Sequence, residues 1–249
     1  MQNEFRARLR GGEKLLGTIV TLSSPAAAEI LADAGFDWLF VDGEHGPLET
    51  GDIMGILQAV GDKAACIVRV PAADETPIKR VLDLGADGII APLVNTAEQA
   101  EYVVRSARYS PAGSRGVGLG RAHGYGMRFK EYIDSANELV TVVVQAEHAQ
   151  AVENIESIVK VEGIDAVLIG PYDLSASMGK MGQVDDPAVI EAIDHVTDTC
   201  LAAGIPLGYF GVNAEAVRPF ADRGYTLLVA GTDTLFLGSA AEATLSALR

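Results

Sequence analysis

Four short stretches hold the residues that can do chemistry. In "LFVDGEHGPLE" an apolar run ending Leu39-Phe40-Val41 passes directly into Asp42, Glu44 and His45. "IVRVP" carries Arg69, "VVVQAEH" ends in Gln145 and Glu147, and "IGPYDLSAS" places Gly170, Pro171, Tyr172 and Asp173 after another apolar run. A histidine is a natural acid and base near neutral pH. A guanidinium stabilises an oxyanion, and Arg69 can also pair with a neighbouring acid such as Asp42. Glu147 and Asp173, with no Cys or His pair beside them, suit a hard divalent ion. Mg²⁺ is usually held by one or two carboxylates, with waters or substrate oxygens completing the octahedron, and Mn²⁺ or Co²⁺ can substitute. The plainer alternative is that each carboxylate caps a helix or pairs with a base. Asp173, where a short helix begins, can cap it and bind a metal as well.

These stretches need a scaffold that gathers them. Short apolar runs alternate with helical periodicity along the whole chain. "LGTIVTL" (16–22) reads as a strand, followed by a helix with Ser24 as cap and Pro25 in its first turn. The strands "DWLFV", "ACIVRV", "GIIAPL", "LVTVVVQ", "DAVLI", "PLGYF" and "TLLVA" follow, each with a helical segment after it. A helix is expected from about Leu48 to Val60 and another over about 187–203, the latter preceded by a short "DLSASMG" turn. Strands apolar on both faces suit a parallel sheet covered by helices. Eight such units in 249 residues predict one domain, a single (β/α)8 TIM barrel spanning 1–249. Its active site belongs at the carboxyl ends of the strands, which is where the four stretches fall. One break in rhythm, 109–138, is Gly-rich with no clear strand, and a long loop of this kind is often functional. Within it "GLGRAHGYG" (118–126) reads equally as a lid or as a surface loop.

Composition excludes several classes. Acids outnumber bases 34 to 19, a net charge of −15, which disfavours nucleic acid and anionic membrane surfaces as partners. Two distant cysteines, Cys66 and Cys200, form neither a disulfide framework nor a zinc knuckle. The charged amino terminus lacks the apolar core of a signal peptide, and no apolar run is long enough to span a membrane, so the chain reads as cytoplasmic.

Taken together, "VDGEHGP", "VRVP", "GADGIIAPLVNTAEQA", "ARYSPAGSRGVG", "QAE" and "VEGIDAVLIGPYDLSASMG" resemble the HpcH/HpaI aldolases, metal-dependent pyruvate aldolases of class II. The resemblance runs from about residue 4 to the carboxyl terminus. It implies a barrel in a homo-hexamer, often with the last helix exchanged between subunits. It implies Glu147 and Asp173 as ligands of Mg²⁺ or Mn²⁺, and Gln145 with the backbone of Tyr172 and Asp173 as holders of a pyruvate unit. His45 would be the base, acting through a metal-bound water. Arg69 would bind the substrate and stabilise the enolate or alkoxide. Asp83, in "VLDLG", matches an acid that pairs with the histidine, and a partner subunit would have to bring it near. The substrates implied are a 2-oxo acid and an aldehyde. Ala146, Tyr172 and His148 depart from the residues common in the family, and Tyr172 bears on the choice of substrate.

Four alternatives make different demands. A Schiff-base aldolase needs a lysine at a strand end, and none of the six lysines closes an expected strand. A CoA-ester lyase of the same barrel type would share the arginine and the carboxylates. A sugar-phosphate enzyme would use the loops "GVN" and "GTDT". A non-catalytic binding barrel would have no need of His45, Arg69, Glu147 and Asp173 together.

Overall fold

The computed structural model describes residues 4–249. The eight apolar runs form strands β1 (Leu15–Val20), β2 (Trp38–Asp42), β3 (Ala65–Arg69), β4 (Gly88–Ala91), β5 (Thr141–Ala146), β6 (Ala166–Ile169), β7 (Leu207–Gly211) and β8 (Leu227–Thr232). All pair in parallel with their sequence neighbours, and β8 pairs with β1 to close the barrel. The helices in chain order begin with α1 (Phe5–Arg10), α2 (Pro25–Asp33), α3 (Thr50–Val60), α4 (Glu75–Asp83) and α5 (Ala97–Ala107). They continue with α6 (Phe129–Leu139), α7 (Ala149–Glu153), α8 (Ile155–Ile158), α9 (Pro171–Ser177), α10 (Pro187–Ala203), α11 (Ala214–Asp222) and α12 (Asp233–Leu248). None is long and apolar enough to cross a membrane.

Side chains alternate between two cores, as the twofold period of a strand requires. Leu15, Ile19, Trp38, Phe40, Ile67, Ile90, Val143, Leu168, Leu227 and Val229 fill the barrel interior. Their neighbours Val20, Leu39, Val41, Val68, Ile89, Val142, Val167 and Leu228 pack outward against the helices. The amino-terminal helix α1 plugs the lower end of the lumen with Phe5 and Leu9, and Phe5 meets Trp38 with ring centroids 6.0 Å apart. Gly17 makes room for that indole, since a Cβ there would lie 2.5 Å from the ring.

A repeated turn enters every even-numbered strand. Gly35-Phe36-Asp37, Gly85-Ala86-Asp87, Gly163-Ile164-Asp165 and Gly224-Tyr225-Thr226 each begin with a glycine at positive φ, between 91° and 101°. That left-handed residue closes the preceding helical segment. The three aspartates then accept backbone N–H groups from the foot of the preceding strand, from Leu16 (2.9 Å), Cys66 (2.8 Å) and Val142 (2.9 Å).

Several expectations need correction. The segment 109–138 is not a bare loop: it contains a 3₁₀ turn, Arg121–Gly126, and helix α6. Phe129, Tyr132, Ile133 and Ala136 give α6 its helical spacing, hidden in the sequence by the glycines before it. Within 118–126, His123 is fully buried and binds the backbone of Gly118, Gly120 and Gly126. Asp173 lies in the first turn of α9, whose N-cap is Gly170. Ser24, by contrast, is the cap of α2 and accepts the Ala27 amide at 3.3 Å. Cys66 and Cys200 are buried and unbonded to one another.

Candidate active site

The carboxyl ends of β2, β3, β5 and β6 bring the charged residues to one mouth. Asp42 and Arg69 are the last residues of paired strands in register, so their side chains emerge side by side. They form a buried two-point ion pair, Nε to Oδ1 at 2.9 Å and the terminal nitrogen to Oδ2 at 2.7 Å. Burial alone would push Asp42 up, but the hydrogen bonds and charge of Arg69, with the amides of Glu44 and His45, hold it below the usual carboxylate range. The guanidinium carbon of Arg69 lies 5.0 Å from the Phe40 ring centroid, which supports its face. Its remaining nitrogen reaches Glu44 at 3.3 Å. Asp42 also fixes the loop that follows, accepting from the backbone of Glu44 (3.0 Å) and His45 (3.2 Å). The His45 ring is left 63% exposed at the mouth, with Nε2 3.7 Å from Glu44.

Glu147 sits opposite, just past β5. One oxygen accepts the Leu93 amide at 2.8 Å and the other the Gln145 side-chain amide at 2.6 Å. Leu93 donates from a left-handed backbone, φ 53°, a conformation rare for a residue with a side chain. Burial pushes the Glu147 carboxyl up to about 7, with Asp173 and Glu44 adding repulsion against the pull of the Leu93 amide and Arg69. Gly170 leaves the space Glu147 needs, since a Cβ there would come within 2.8 Å of its oxygen.

The charges of Asp173 and Glu44 bear on Glu147 against the opposing charge of Arg69. The buried Gln145 side-chain oxygen has no hydrogen-bond partner. This donor set fits a divalent ion held by Glu147 and Asp173, with the other positions left to water or substrate. Among the described residues no group of three or more His, Cys, Asp or Glu side chains forms a closed metal cage. A two-carboxylate site with open positions is consistent with that.

Residues 16–240 match the family model of the HpcH/HpaI aldolase/citrate lyase proteins. The chain belongs to the HpcH/HpaI aldolase/citrate lyase family. A 4-hydroxy-2-oxovalerate aldolase of Novosphingobium aromaticivorans is 42% identical over 234 residues, 93% of this chain and 89% of its own. A 4-hydroxy-2-oxo-heptane-1,7-dioate aldolase of Shigella sonnei is 39% identical over 246 residues, 98% and 94% of the two chains. A solved HpcH/HpaI family structure from Burkholderia cenocepacia superposes with a TM-score of 0.96 at 37% identity, covering 99% of each chain.

Against this family background, the mouth collects His45, Arg69, Gln145, Glu147, Tyr172 and Asp173. Tyr172, 40% exposed, stands beside Asp173 at the start of α9. Asp83 is placed elsewhere. It ends α4, at the amino-terminal end of the barrel, and binds Arg115 at 2.7 Å. Within one chain it does not meet His45, and Glu44 is the acid beside that ring. Sequence reasoning missed Leu93 and Gly170 as supports of Glu147. The left-handed backbone at Leu93 has no signature in "APLVN", whereas "IGP" before a helix start does mark a close approach. The loop "GTDT" is also spoken for: Asp233 accepts the amides of Thr21 (2.9 Å) and Leu22 (2.8 Å) and ties β8 to the end of β1. A carboxylate occupying those amides speaks against a phosphate there. Among the described residues no strand carries a lysine, where a Schiff-base aldolase would need one.

Proposed function

We propose that this HpcH/HpaI family member is a divalent-metal-dependent aldolase that cleaves 4-hydroxy-2-oxo acids to pyruvate and an aldehyde, and joins them in reverse. The observation that carries this reading is the oriented Arg69–Asp42 pair facing the mutually repelling carboxylates Glu147 and Asp173 across one strand-end mouth. Similarity to two 4-hydroxy-2-oxo acid aldolases over nearly the whole chain supports it.

Glu147 and Asp173 would hold the ion, Mg²⁺ or Mn²⁺ by their hard oxygen donors, with Co²⁺ as a substitute. When bound, it supplies Lewis-acid stabilisation of the negative charge on the pyruvate oxygens. Gln145, through the second N–H of its side-chain amide, and the backbone at Tyr172 and Asp173 orient the pyruvate unit. His45 accepts the proton leaving the pyruvate methyl group, and its exposure at the mouth lets it exchange that proton with solvent. Arg69, held in plane by Asp42, stabilises the oxyanion that develops as the carbon–carbon bond forms or breaks. Asp83 joins the mechanism only if the partner subunit's Asp83 reaches His45. That fits a homo-hexamer in which α12, nearly all exposed, packs on a neighbour. The same reading places the enzyme in the cytoplasm, in keeping with two free, buried cysteines.

The test needs no guess at the aldehyde. The protein is incubated with pyruvate in D₂O and Mg²⁺ or Mn²⁺, and loss of the methyl proton signal is followed with and without EDTA. Metal-dependent exchange is expected. Exchange that persists undiminished in metal-free protein would overturn the metal-assisted mechanism. Absence of exchange both with and without an aldehyde present would overturn the aldolase reading.

A further inference from the structure

The aldehyde half of the substrate has to be held by what the strand ends offer beyond the groups that take pyruvate. The segments leading from the strands to the next helices are 21–24, 43–49, 70–74, 92–96, 147–148 and 212–213, with 170 and 178–186 on either side of α9. Among these described residues Lys180 is the only lysine or arginine, and Asp186 takes its ammonium at 2.7 Å. The same segments carry Glu44, Glu49, Asp74, Glu147, Asp185 and Asp186. His148 serves as the cap of α7, its Nδ1 accepting the Gln150 amide at 3.1 Å. Arg69, the last residue of β3, is already shared between Asp42 at 2.7 Å and Glu44 at 3.3 Å.

An aldehyde that carries a carboxylate would therefore add negative charge to a mouth with no free cation to meet it. Like charges brought together at a partly desolvated site cost affinity. The other strand ends offer uncharged surface instead. Leu93, Tyr172 and Val212 are exposed, and Phe210, inside the barrel on β7, is only partly buried. In the closed ring of eight, β7 lies opposite β3, so the end of β7 with Phe210 and Val212 stands across the mouth from Arg69.

We propose that the aldehyde half of the substrate is uncharged, an alkyl or aryl aldehyde whose substituent lies on the apolar side of the mouth at Phe210 and Val212, and that aldehydes bearing a carboxylate are selected against. This rests on the aldolase reading and narrows it to one substrate class.

Butanal and 4-oxobutanoate have the same chain length and differ in ending with a methyl or a carboxylate group. Each is offered to the full chain with pyruvate and Mg²⁺, and aldol formation gives kcat/KM for the aldehyde. Butanal is expected to be favoured by roughly tenfold or more, as when a charged group meets a site that has no partner for it. Val212→Arg puts a guanidinium at the end of β7 and should shrink that ratio by about tenfold, through a charge-assisted hydrogen bond to the carboxylate. Val212→Met lengthens the side chain without the charge and should keep the wild-type ratio, which separates charge from size. The ratio compares two aldehydes in one protein, so a general loss of activity in a variant does not enter it. Pyruvate methyl exchange in D₂O, followed with and without aldehyde, tells two failures apart. Exchange together with equal or better use of 4-oxobutanoate overturns this proposal and leaves the aldolase reading standing. A wild-type ratio in Val212→Arg overturns the placement of the substituent at β7. Absence of exchange removes the aldolase reading and this proposal with it.

Discussion

In the proposed mechanism, Arg69 is the side chain on which binding and chemistry both depend. Its two-point contact with Asp42 fixes the plane of the guanidinium, and lysine cannot reproduce that geometry. Arg69→Ala is expected to lower kcat by about a hundredfold to a thousandfold, the usual loss for an oxyanion donor, and Arg69→Lys to recover little of it. Steady-state kinetics on a 4-hydroxy-2-oxo acid would measure both. Asp42→Ala should be the less stable protein, because it strands a buried guanidinium at a cost of about 3–5 kcal/mol. Glu147 gives a pH dependence of known sign. Its carboxyl is raised to about 7, so the metal-free fold favours the protonated form. Its contribution to stability is whole below the ordinary carboxylate pKa and is lost as pH rises through about 7. In EDTA, the Tm of wild type relative to Glu147→Gln should therefore fall between pH 5 and 8. Saturating Mn²⁺ should reverse the trend, because the ion needs the ionised form. Parallel Tm curves for the two proteins would show that Glu147 is not held neutral. At this scale the sequence made most of the site legible, since Asp42, Glu44, His45, Arg69, Gln145, Glu147 and Asp173 follow apolar runs. It did not reveal Leu93, which acts through a backbone amide that every residue type but proline carries.

Strand ends set where these residues stand, and the turns after them set how they point. Gly170 shows this at the junction of β6 and α9. A methyl group there would meet the Glu147 oxygen at 2.8 Å and its Cβ at 3.0 Å. The carboxylate would have to leave the Leu93 amide or swing away from Asp173. Gly170→Ala is thus expected to weaken Mn²⁺ binding by about tenfold or more, as loss of a metal ligand's support does. Far-UV circular dichroism should stay unchanged, and an undiminished Mn²⁺ affinity by calorimetry would refute the steric reading. The same element logic explains what the sequence disclosed of the fold. All eight strands were legible because their apolar runs are buried on both faces, and α10 was legible to the residue because Pro187 opens it and Gly204 closes it. The break of α7 from α8 was not legible. Asn154 spends its side chain on the Asn95 carbonyl at 2.9 Å, a contact 59 residues away that no local pattern records. Helix α1 escaped notice because its six residues are too few for periodicity to register.

Over the whole molecule, α12 is the element the chain does not satisfy by itself. Of its 16 residues only Asp233 is buried, while Leu237 is 66% and Leu248 82% exposed. Leu235, Phe236 and Leu245 are exposed as well, and Ile30 stands out from α2 beside it. A helix that is apolar without a polar face has no reason to persist in water unless another surface covers it. A net charge of −15 works against bringing copies together, so the apolar contact has to outweigh that repulsion. This is the physical content of the expected hexamer with an exchanged last helix: α12 would be covered by a neighbour. It also bears on Asp83, which lies at the wrong end of its own barrel and could serve His45 only across a subunit boundary. Removing residues 234–249 leaves Asp233 in place to tie β8 to β1, so the barrel itself should still fold. If the full chain forms the proposed hexamer, light scattering after size exclusion should then show smaller species in its place. If Asp83 acts across the boundary, pyruvate methyl exchange should fall with the assembly, and Asp83→Asn in the full-length hexamer should lower it without changing the mass. A full chain that runs as a monomer while exchanging pyruvate protons at full rate would remove both the helix exchange and the role of Asp83.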